Sequence, residues 1–308
     1  MKRAVSISIG SSKRDKAVQI DLMGEMVSIE RIGTDGDMEK AAQLFREMDG
    51  VVDAFGVGGT DLGVMVGDKF YPLYSIHSMV RFVNKTPMVD GNGLKQTLER
   101  GCAQALEDKI GSWLKTKPKR AFICAATDRW GMAQSFAQSG YECIYGDMMF
   151  ALGLPFPLRS ETSVKVLAAL LMPIAGRIPF HWIYPTGESQ NKRTPKWERW
   201  FDSATIIAGD CHYITRYMPD TLADKVIVTN TTTQDDVALF RKAGVKYLLT
   251  TTPVLDGRSF GTNMMEAALI AWSGRKDPVD YRHPGNYFNE LNGLLVKLKL
   301  APQLQELN

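Results

Sequence analysis

The chain has 308 residues, 44% hydrophobic and 23% charged, which excludes wholesale disorder and suits one large or two modest domains. Its 37 Lys and Arg against 34 Asp and Glu leave a net charge of +3 with no sustained basic run, which argues against a dedicated nucleic-acid binder. The longest uncharged apolar run, Val166 to Gly176, would rise only about 16 Å as a helix against a hydrocarbon core of roughly 30 Å, so no membrane span is expected. From the N-terminus, Val5 to Ile9, Val18 to Leu22 and Met26 to Ile29 alternate as strands. Met38, Ala41, Ala42, Phe45 and Met48 follow an Asp37 cap as an amphipathic helix. Val51 to Phe55 is a short strand running into Gly56-Val57-Gly58-Gly59-Thr60-Asp61, whose glycines suit a hairpin or bulge better than an anion nest. Leu94, Leu98, Cys102, Ala105 and Leu106 form the apolar face of a further helix, opened by Gly91-Asn92-Gly93.

A second run of elements starts after the charged, proline-bearing stretch Thr116 to Arg120. Strands are expected at Ala121 to Ala126, Glu142 to Tyr145, Ala204 to Ala208, Val226 to Val228 and Tyr247 to Leu249. Helices are expected at Met132 to Ser139, at Glu161 to Leu171 behind a Ser160 cap, and at Gln234 to Lys242. Short apolar strands alternating with helices imply a parallel sheet covered on both faces. The expected fold is therefore α/β with two domains: a smaller N-terminal α/β domain over 1–115 and a Rossmann-like, doubly wound parallel sheet over 119–275. A C-terminal helical segment, 276–308, with Leu291, Leu294, Leu295 and Leu298 at helical spacing, is expected to pack back.

The four cysteines are well separated, with no CxxC pair, and the four histidines are scattered, so no metal site is expected. The opening Met1-Lys2-Arg3 leads into a short, serine-broken stretch unlike a signal peptide, and a cytoplasmic location is expected. Doubly wound sheets bind ligands outside the carboxyl ends of their strands. Those ends carry Thr127-Asp128-Arg129, Asp147, Gly209-Asp210, Asn230 and Thr250-Thr251-Thr252. Ala125 to Gly131 occupies the place of a dinucleotide loop, where backbone amides at a helix N-terminus approach a pyrophosphate, although Gly131 is its one glycine. Thr127, Asp128, Arg129, Trp130 and Gly131 are the expected cofactor-contacting residues there. Asp147, about twenty residues on, stands where an acid binds a ribose hydroxyl, and Gly209 and Asn230 complete the set. Asp210-Cys211-His212 offers an acid–base histidine or a structural one. The loop Tyr184 to Gly187 with Lys192-Arg193 could close over a phosphate, and Arg258 could hold a carboxylate.

Val89-Asp90-Gly91-Asn92-Gly93-Leu94-Lys95 reads as an ordinary helix start capped by Asp90 on pattern alone. Chain order adds a second meaning. Asp90-Gly91-Asn92-Gly93-Leu94 with Leu98-Glu99, a strand–loop–helix some twenty-five residues later, and Gly261-Thr262-Asn263-Met264-Met265 together resemble the shikimate/quinate dehydrogenase family. The resemblance runs over most of residues 85 to 270. It implies an NAD(P)-dependent oxidoreductase, NAD or NADP left open, acting on a small hydroxylated or carbonyl substrate. It also implies a catalytic lysine paired with Asp90, for which Lys69, Lys85 and Lys95 are candidates and Lys95 lies nearest in sequence. The chain departs from the family in its Ala125–Gly131 loop, in its N-terminal serines, and in Ala268 where a glutamine is usual. The missing glycines leave a second reading open, a non-redox nucleotide- or metabolite-binding protein, or a transferase, on the same scaffold.

Overall fold

A computed structural model describes residues 1–178, 193–252, 254–255 and 258–308. The chain forms two compact units, Met1–Leu94 with Leu170–Gly187 and Leu255–Leu300, and Lys95–Ala169 with Glu188–Val254 and Ala301–Asn308.

The first unit begins with β1 (Lys2–Ser8), β2 (Lys16–Leu22) and β3 (Glu25–Gly33), followed by α1 (Met38–Met48) and β4 (Ala54–Gly58). A hairpin of β5 (Gly63–Val66) and β6 (Lys69–Pro72), α2 (Tyr74–Val80) and β7 (Met88–Val89) complete its first segment. The sheet order is β2-β3-β1-β4-β7, parallel except for the β2–β3 hairpin. β1 and β4 lie in the middle and are buried on both faces along Ala4–Ser8 and Ala54–Gly58, so both strands carry apolar and small residues. Large and small side chains nevertheless alternate along them. Val5, Ile7, Phe55 and Val57 pack with Phe45 of α1 and Ile76 and Met79 of α2. The opposite-facing residues Ala4, Ser6, Ala54 and Gly56 are small, and a helix of the third segment, Thr262–Ser273, packs on β1, β3 and β4. A Cβ at Gly56 would stand 3.1 Å from Asn263 O and 3.2 Å from Ser6 Cβ, so this glycine permits the close approach. Asp37 caps α1 as expected, accepting from Lys40 N at 2.8 Å.

In chain order the second unit follows α3 (Asn92–Gln96) with α4 (Cys102–Leu114), β8 (Arg120–Ile123), α5 (Trp130–Gln138), β9 (Glu142–Tyr145), α6 (Asp147–Leu152) and α7 (Glu161–Ala175), whose residues from Leu170 belong to the first unit. It continues through α8 (Glu198–Ser203), β10 (Ile206–Ala208), α9 (Cys211–Tyr217), β11 (Val226–Thr229), α10 (Gln234–Lys242) and β12 (Tyr247–Thr250). The helix Thr262–Ser273 of the first unit is α11, and Tyr287–Lys297 is α12. Strands β9-β8-β10-β11-β12 run parallel, with the C-terminal strand Gln303–Glu306 antiparallel to β12 at the edge. Within the unit this is the doubly wound order 2-1-3-4-5, whose topological switch lies between β8 and β10. Phe122, Ile207 and Ile227 pack with Phe201 and Phe240 in its core. The fold class is thus α/β in two units, the second a Rossmann-like doubly wound sheet.

The expected helical segment 276–308 ends in the strand Gln303–Glu306, which lies in the second unit, and three further features differ from the sequence expectation. The helix from Leu94 is interrupted: α3 ends at Gln96, Leu98–Gly101 forms a 3-10 turn, and α4 restarts at Cys102. The buried amide of Ala103, left without a helical acceptor by the break, donates to Ser135 Oγ at 2.8 Å, and the Glu99 side chain is buried. The compact units divide first after Leu94, not at 115, because α4 packs with α5 and the C-terminal strand inside the second unit. The expected junction at 116–120 is stitched into that unit, with Pro118 O accepting from Thr205 Oγ1 at 2.7 Å and Lys117 paired to Asp224 at 3.2 Å. Finally, segment 255–300, including α11, belongs to the first unit.

Candidate functional site

At the carboxyl ends of β8 and β10, where the strand order reverses, the second unit gathers most of the expected site residues. The chain leaves β8 through Cys124 to Arg129, and Arg129 N donates back to Ala125 O at 3.3 Å before α5 begins. Asp147, opening α6, turns into this loop. Its Oδ2 accepts from Ala126 N at 3.1 Å, and its Oδ1 accepts from Thr127 N and Thr127 Oγ1, each at 2.8 Å. Burial pushes the Asp147 carboxyl up while the Thr127 and Ala126 donors pull it back. Thr127 and Asp147 are therefore engaged with each other.

Arg129 is the centre of an ion cluster. Its guanidinium donates to Glu99 Oε1 at 2.6 Å and Asp210 Oδ2 at 2.8 Å, and its Nε lies 3.4 Å from Asp128 Oδ2. Lys95 Nζ donates to Asp128 Oδ1 at 2.9 Å. Asn230 Nδ2 donates to Asp210 Oδ2 at 2.8 Å, while Asn230 Oδ1 accepts from Cys211 N. Side-chain exposure is 28% at Asp128 and 19% at Asp210, but 6% at Lys95, 5% at Arg129 and 0% at Glu99. The two outer acids thus meet solvent, with the cations behind them. Burial would lift the Asp128 carboxyl, but Lys95 and Arg129 hold it below the usual range. At Glu99 burial prevails over the same two cations and the carboxyl is raised. Burial works against the Arg129 charge, yet Glu99, Asp128 and Asp210 more than restore it.

Two glycines at this point have packing roles. A Cβ at Gly131 would collide with Lys95 O, so the one glycine of the expected dinucleotide loop is required by the crossing of α3 and α5. A Cβ at Gly209 would stand 2.9 Å from Cys124 Cβ across the switch point. Trp130 is buried at the start of α5, with Lys165 Nζ 5.5 Å from its ring centre. His212 is exposed, and Asp210 Oδ1 accepts from its backbone N at 2.9 Å as the cap of α9.

Asp90 belongs to the first unit. Its Oδ1 accepts from Asn92 N at 2.9 Å, and its Oδ2 accepts from Leu62 N at 2.7 Å and Asn92 Nδ2 at 2.8 Å. This is an Asx turn that also holds the segment entering β5, while Lys95 lies in the second unit, where it pairs with Asp128. Gly91 has φ +101°, and a Cβ there would stand 3.0 Å from Asn263 N at the start of α11. The two motif segments of the family resemblance, Asp90–Gly93 and Gly261–Met265, therefore meet in one unit. Lys69 and Lys85 are exposed. Arg193 pairs with Asp220 at 3.1 Å, while Tyr184 to Lys192 and the Arg258 side chain lie outside the described residues. Among the described residues no group of His, Cys, Asp and Glu is arranged to hold a metal, and no helix is long and apolar enough to cross a membrane.

Sequence reasoning missed Glu99 and Glu266. Each had a signal, a lone acid on an otherwise apolar helix face: Glu99 among Leu94, Leu98 and Cys102, and Glu266 within Met264 to Ala271.

Residues 93–307 match a domain of unknown function (DUF8754), and residues 3–90 match another (DUF8753). The chain belongs to the DUF8754 family. The DUF8754 match begins inside the Asp90–Gly93 turn, close to the end of the first unit's leading segment at Leu94. No curated protein matches the chain. Among solved structures it is similar to a putative malic enzyme (malate oxidoreductase), at 11% identity over 95% of this chain and 77% of that one, TM-score 0.38. It is also similar to the NAD-dependent malic enzyme of Thermotoga maritima, at 12% identity over 90% and 73%, TM-score 0.35. A third is a sugar ABC transport substrate-binding protein of Bordetella parapertussis 12822, at 10% identity over 91% and 83%, TM-score 0.35.

Proposed function

We propose that this protein takes a small hydroxylated or carbonyl metabolite at the β8–β10 switch point of its second unit, with Lys95 and Asp128 as the proton-handling pair. The observation that carries this reading is the Lys95–Asp128–Arg129–Asp210 cluster, a set of charged groups concentrated where an open α/β sheet leaves its crevice. Asp128 and Asp210 present carboxylate oxygens that accept ligand hydroxyls. The Lys95 amino group, held 2.9 Å from Asp128 Oδ1, is the donor to a ligand oxygen on which negative charge develops. Counting Lys95 and Arg129 against Glu99, Asp128 and Asp210, the cluster carries one more carboxylate than cation, which disfavours a phosphate.

A dinucleotide does not fit the Ala125–Gly131 loop in this arrangement. The Ala126 and Thr127 amides are spent on Asp147, Arg129 is spent on three acids, and Gly131 is covered by Lys95 O. The reading as an NAD(P)-dependent oxidoreductase of the shikimate/quinate dehydrogenase kind is second, favoured by the contact between the Asp90 and Gly261 motifs. A thermal-shift screen separates the two. Neutral polyols, aldoses and hydroxy acids are compared with NAD, NADP and ADP-ribose, since a ligand at 100 times its Kd adds about 2.7 kcal/mol. The first reading expects stabilisation by hydroxylated compounds, abolished in Asp128→Asn, and none by ADP-ribose. Stabilisation by NAD or NADP, with reduced nicotinamide appearing at 340 nm on adding quinate or shikimate, would establish the second and overturn the first.

A further inference from the structure

Within the second unit, side chains of α5 and α7 meet beside β9, an edge strand of the sheet. The chain entering α7 is pinned to that edge, because Tyr145 and Leu158 exchange backbone hydrogen bonds, each at 2.9 Å. Ile144 turns to the core with Phe122 and Phe150, so Cys143 and Tyr145 turn to the opposite face, where α5 packs on β9. Tyr145 Oη donates to Cys143 Sγ, and the Glu161 carboxyl stands near enough to act on both groups. Trp130 and Gln134 lie one turn apart on α5, as do Glu161 and Lys165 on α7. Lys165 Nζ sits 5.5 Å from the Trp130 ring centre, which joins the two pairs into one group. Three polar atoms of this group are buried without a hydrogen-bond partner among the described residues: the Trp130 Nε1 donor and the Gln134 Oε1 and Glu161 Oε1 acceptors. Trp130 itself is 0% exposed. Glu161 and Lys165 have no partner of opposite charge among the described residues.

We propose that this group binds a small α-amino acid, with its ammonium between Glu161 and Gln134 and its carboxylate at Trp130 Nε1 and Lys165. The site goes beyond the metabolite reading and shares no residue with the Lys95–Asp128–Arg129–Asp210 cluster. An ammonium offers three donors and no acceptor, and the Glu161–Gln134 end presents two oxygens and a negative charge. A carboxylate only accepts, and the Trp130–Lys165 end presents an indole N–H and a cation. Burial pushes the Cys143 thiol up to about 11 and the Tyr145 hydroxyl upward as well, so neither adds a charge to the one acid and one base. The two ends are about 6 Å apart along each helix, four residues at a rise of about 1.5 Å. An ammonium and a carboxylate on one carbon span that distance with one hydrogen bond of about 2.8 Å at each end. A neutral polyol leaves both charges unanswered, and a phosphate is repelled by Glu161. Each orphaned buried atom carries a desolvation cost that a matching ligand atom removes.

The test is the indole proton–nitrogen NMR spectrum of the full-length protein, whose six tryptophans give few signals. Lys165→Met takes the cation off the Trp130 ring and moves one indole signal in the free protein, which assigns it. Glycine and L-alanine are titrated to about 50 mM, far above a millimolar Kd, against ethylamine and propionate, which carry one charge each. In the wild type the Trp130 signal should move saturably downfield with an amino acid, as Nε1–H gains a carboxylate acceptor, and stay in place with ethylamine or propionate. Glu161→Gln and Lys165→Met should each weaken that titration at least about tenfold while the remaining indole signals keep their positions. A spectrum in which no indole signal responds to either amino acid means that the buried atoms hold only water, and overturns the proposal. An equal response to propionate makes this a plain anion site and overturns it as well, as does an affinity unchanged in both variants. A Lys165→Met spectrum with every signal in place would remove the Trp130–Lys165 contact on which the site rests. Should Glu161→Gln fail to fold, Lys165→Met, at an exposed position, decides alone by the same tenfold criterion.

Discussion

Asp147 holds three donors on a carboxylate that is 1% exposed, and those donors are the loop amides and hydroxyl a nucleotide would need. Removing it leaves Ala126 N and Thr127 N without acceptors in a buried site. Asp147→Ala should therefore cost about 2–4 kcal/mol in urea unfolding, from two orphaned donors at about 1–3 kcal/mol each with partial rehydration. A loss below about 0.5 kcal/mol would mean the loop is held by something else. Glu266 makes the opposite kind of contribution. Burial raises its folded carboxyl to about 7 from an ordinary 4.5, so the folded state holds a proton that the unfolded state has released across that window. Its contribution to stability is complete below 4.5, falls as the pH rises, and is lost above 7, a total of about 3 kcal/mol. Glu266→Gln should flatten the dependence of unfolding free energy on pH between 5 and 8, and an unaltered slope would count against the raised carboxyl. At this scale the sequence singles out Asp147 at a strand end, and shows Glu266 only as a lone acid in an apolar helix. It cannot say what each touches, because the partners of Asp147 lie about twenty residues away and those of Glu266 up to 172.

Among the elements, most strands and helices are legible because burial on two faces leaves continuous apolar runs such as Phe122-Ile123 and Val226-Ile227-Val228. The break between α3 and α4 is not legible, since Leu94 to Leu106 has unbroken helical spacing and the reason for the break is tertiary. Glu99 reaches Arg129 from the 3-10 turn, and Lys95 O presses on Gly131 at the start of α5. Two backbones meeting this closely leave no side chain to move aside. Gly131→Ala should cost about 3 kcal/mol or more, or prevent soluble expression, because α5 must shift away from α3 and strain the Arg129 cluster. Gly140, which also lies in the second unit but has nothing within 4 Å of a Cβ position, has φ +76° and tests backbone strain alone. Its alanine variant should lose only about 1 kcal/mol or slightly more, by circular dichroism melting or chemical denaturation. Equal losses at the two positions would remove the packing argument for Gly131.

Across the whole molecule, the sequence suggests two domains in series, and the fold instead builds its first unit from three separated segments. The charged junction at 116–120 looks like a boundary because Pro and Lys favour exposed turns, yet its carbonyls and side chains are tied within the second unit. What the sequence lacks is any local sign that α11 belongs with β1 and β4, apart from the small residues Ala4, Ser6, Ala54 and Gly56 that wait for it. α11 buries Met264, Met265, Leu269 and Ile270 together with three alanines. At about 1.5–3 kcal/mol per large side chain, the four alone supply about 6–12 kcal/mol, comparable with the whole stability of a typical domain. A fragment of residues 1–115 therefore should not fold by itself. It leaves the α11 face of its sheet open and lacks the Tyr281–Glu266 contacts that hold the Asp90 turn. Its proton–nitrogen NMR spectrum should be poorly dispersed and its urea unfolding uncooperative. A chain that joins 170–187 and 255–300 to 1–94 through flexible linkers should restore dispersion and a single cooperative transition. If the 1–115 fragment alone gave a dispersed spectrum and a sharp transition, the three-segment unit would not be the folding unit of this protein.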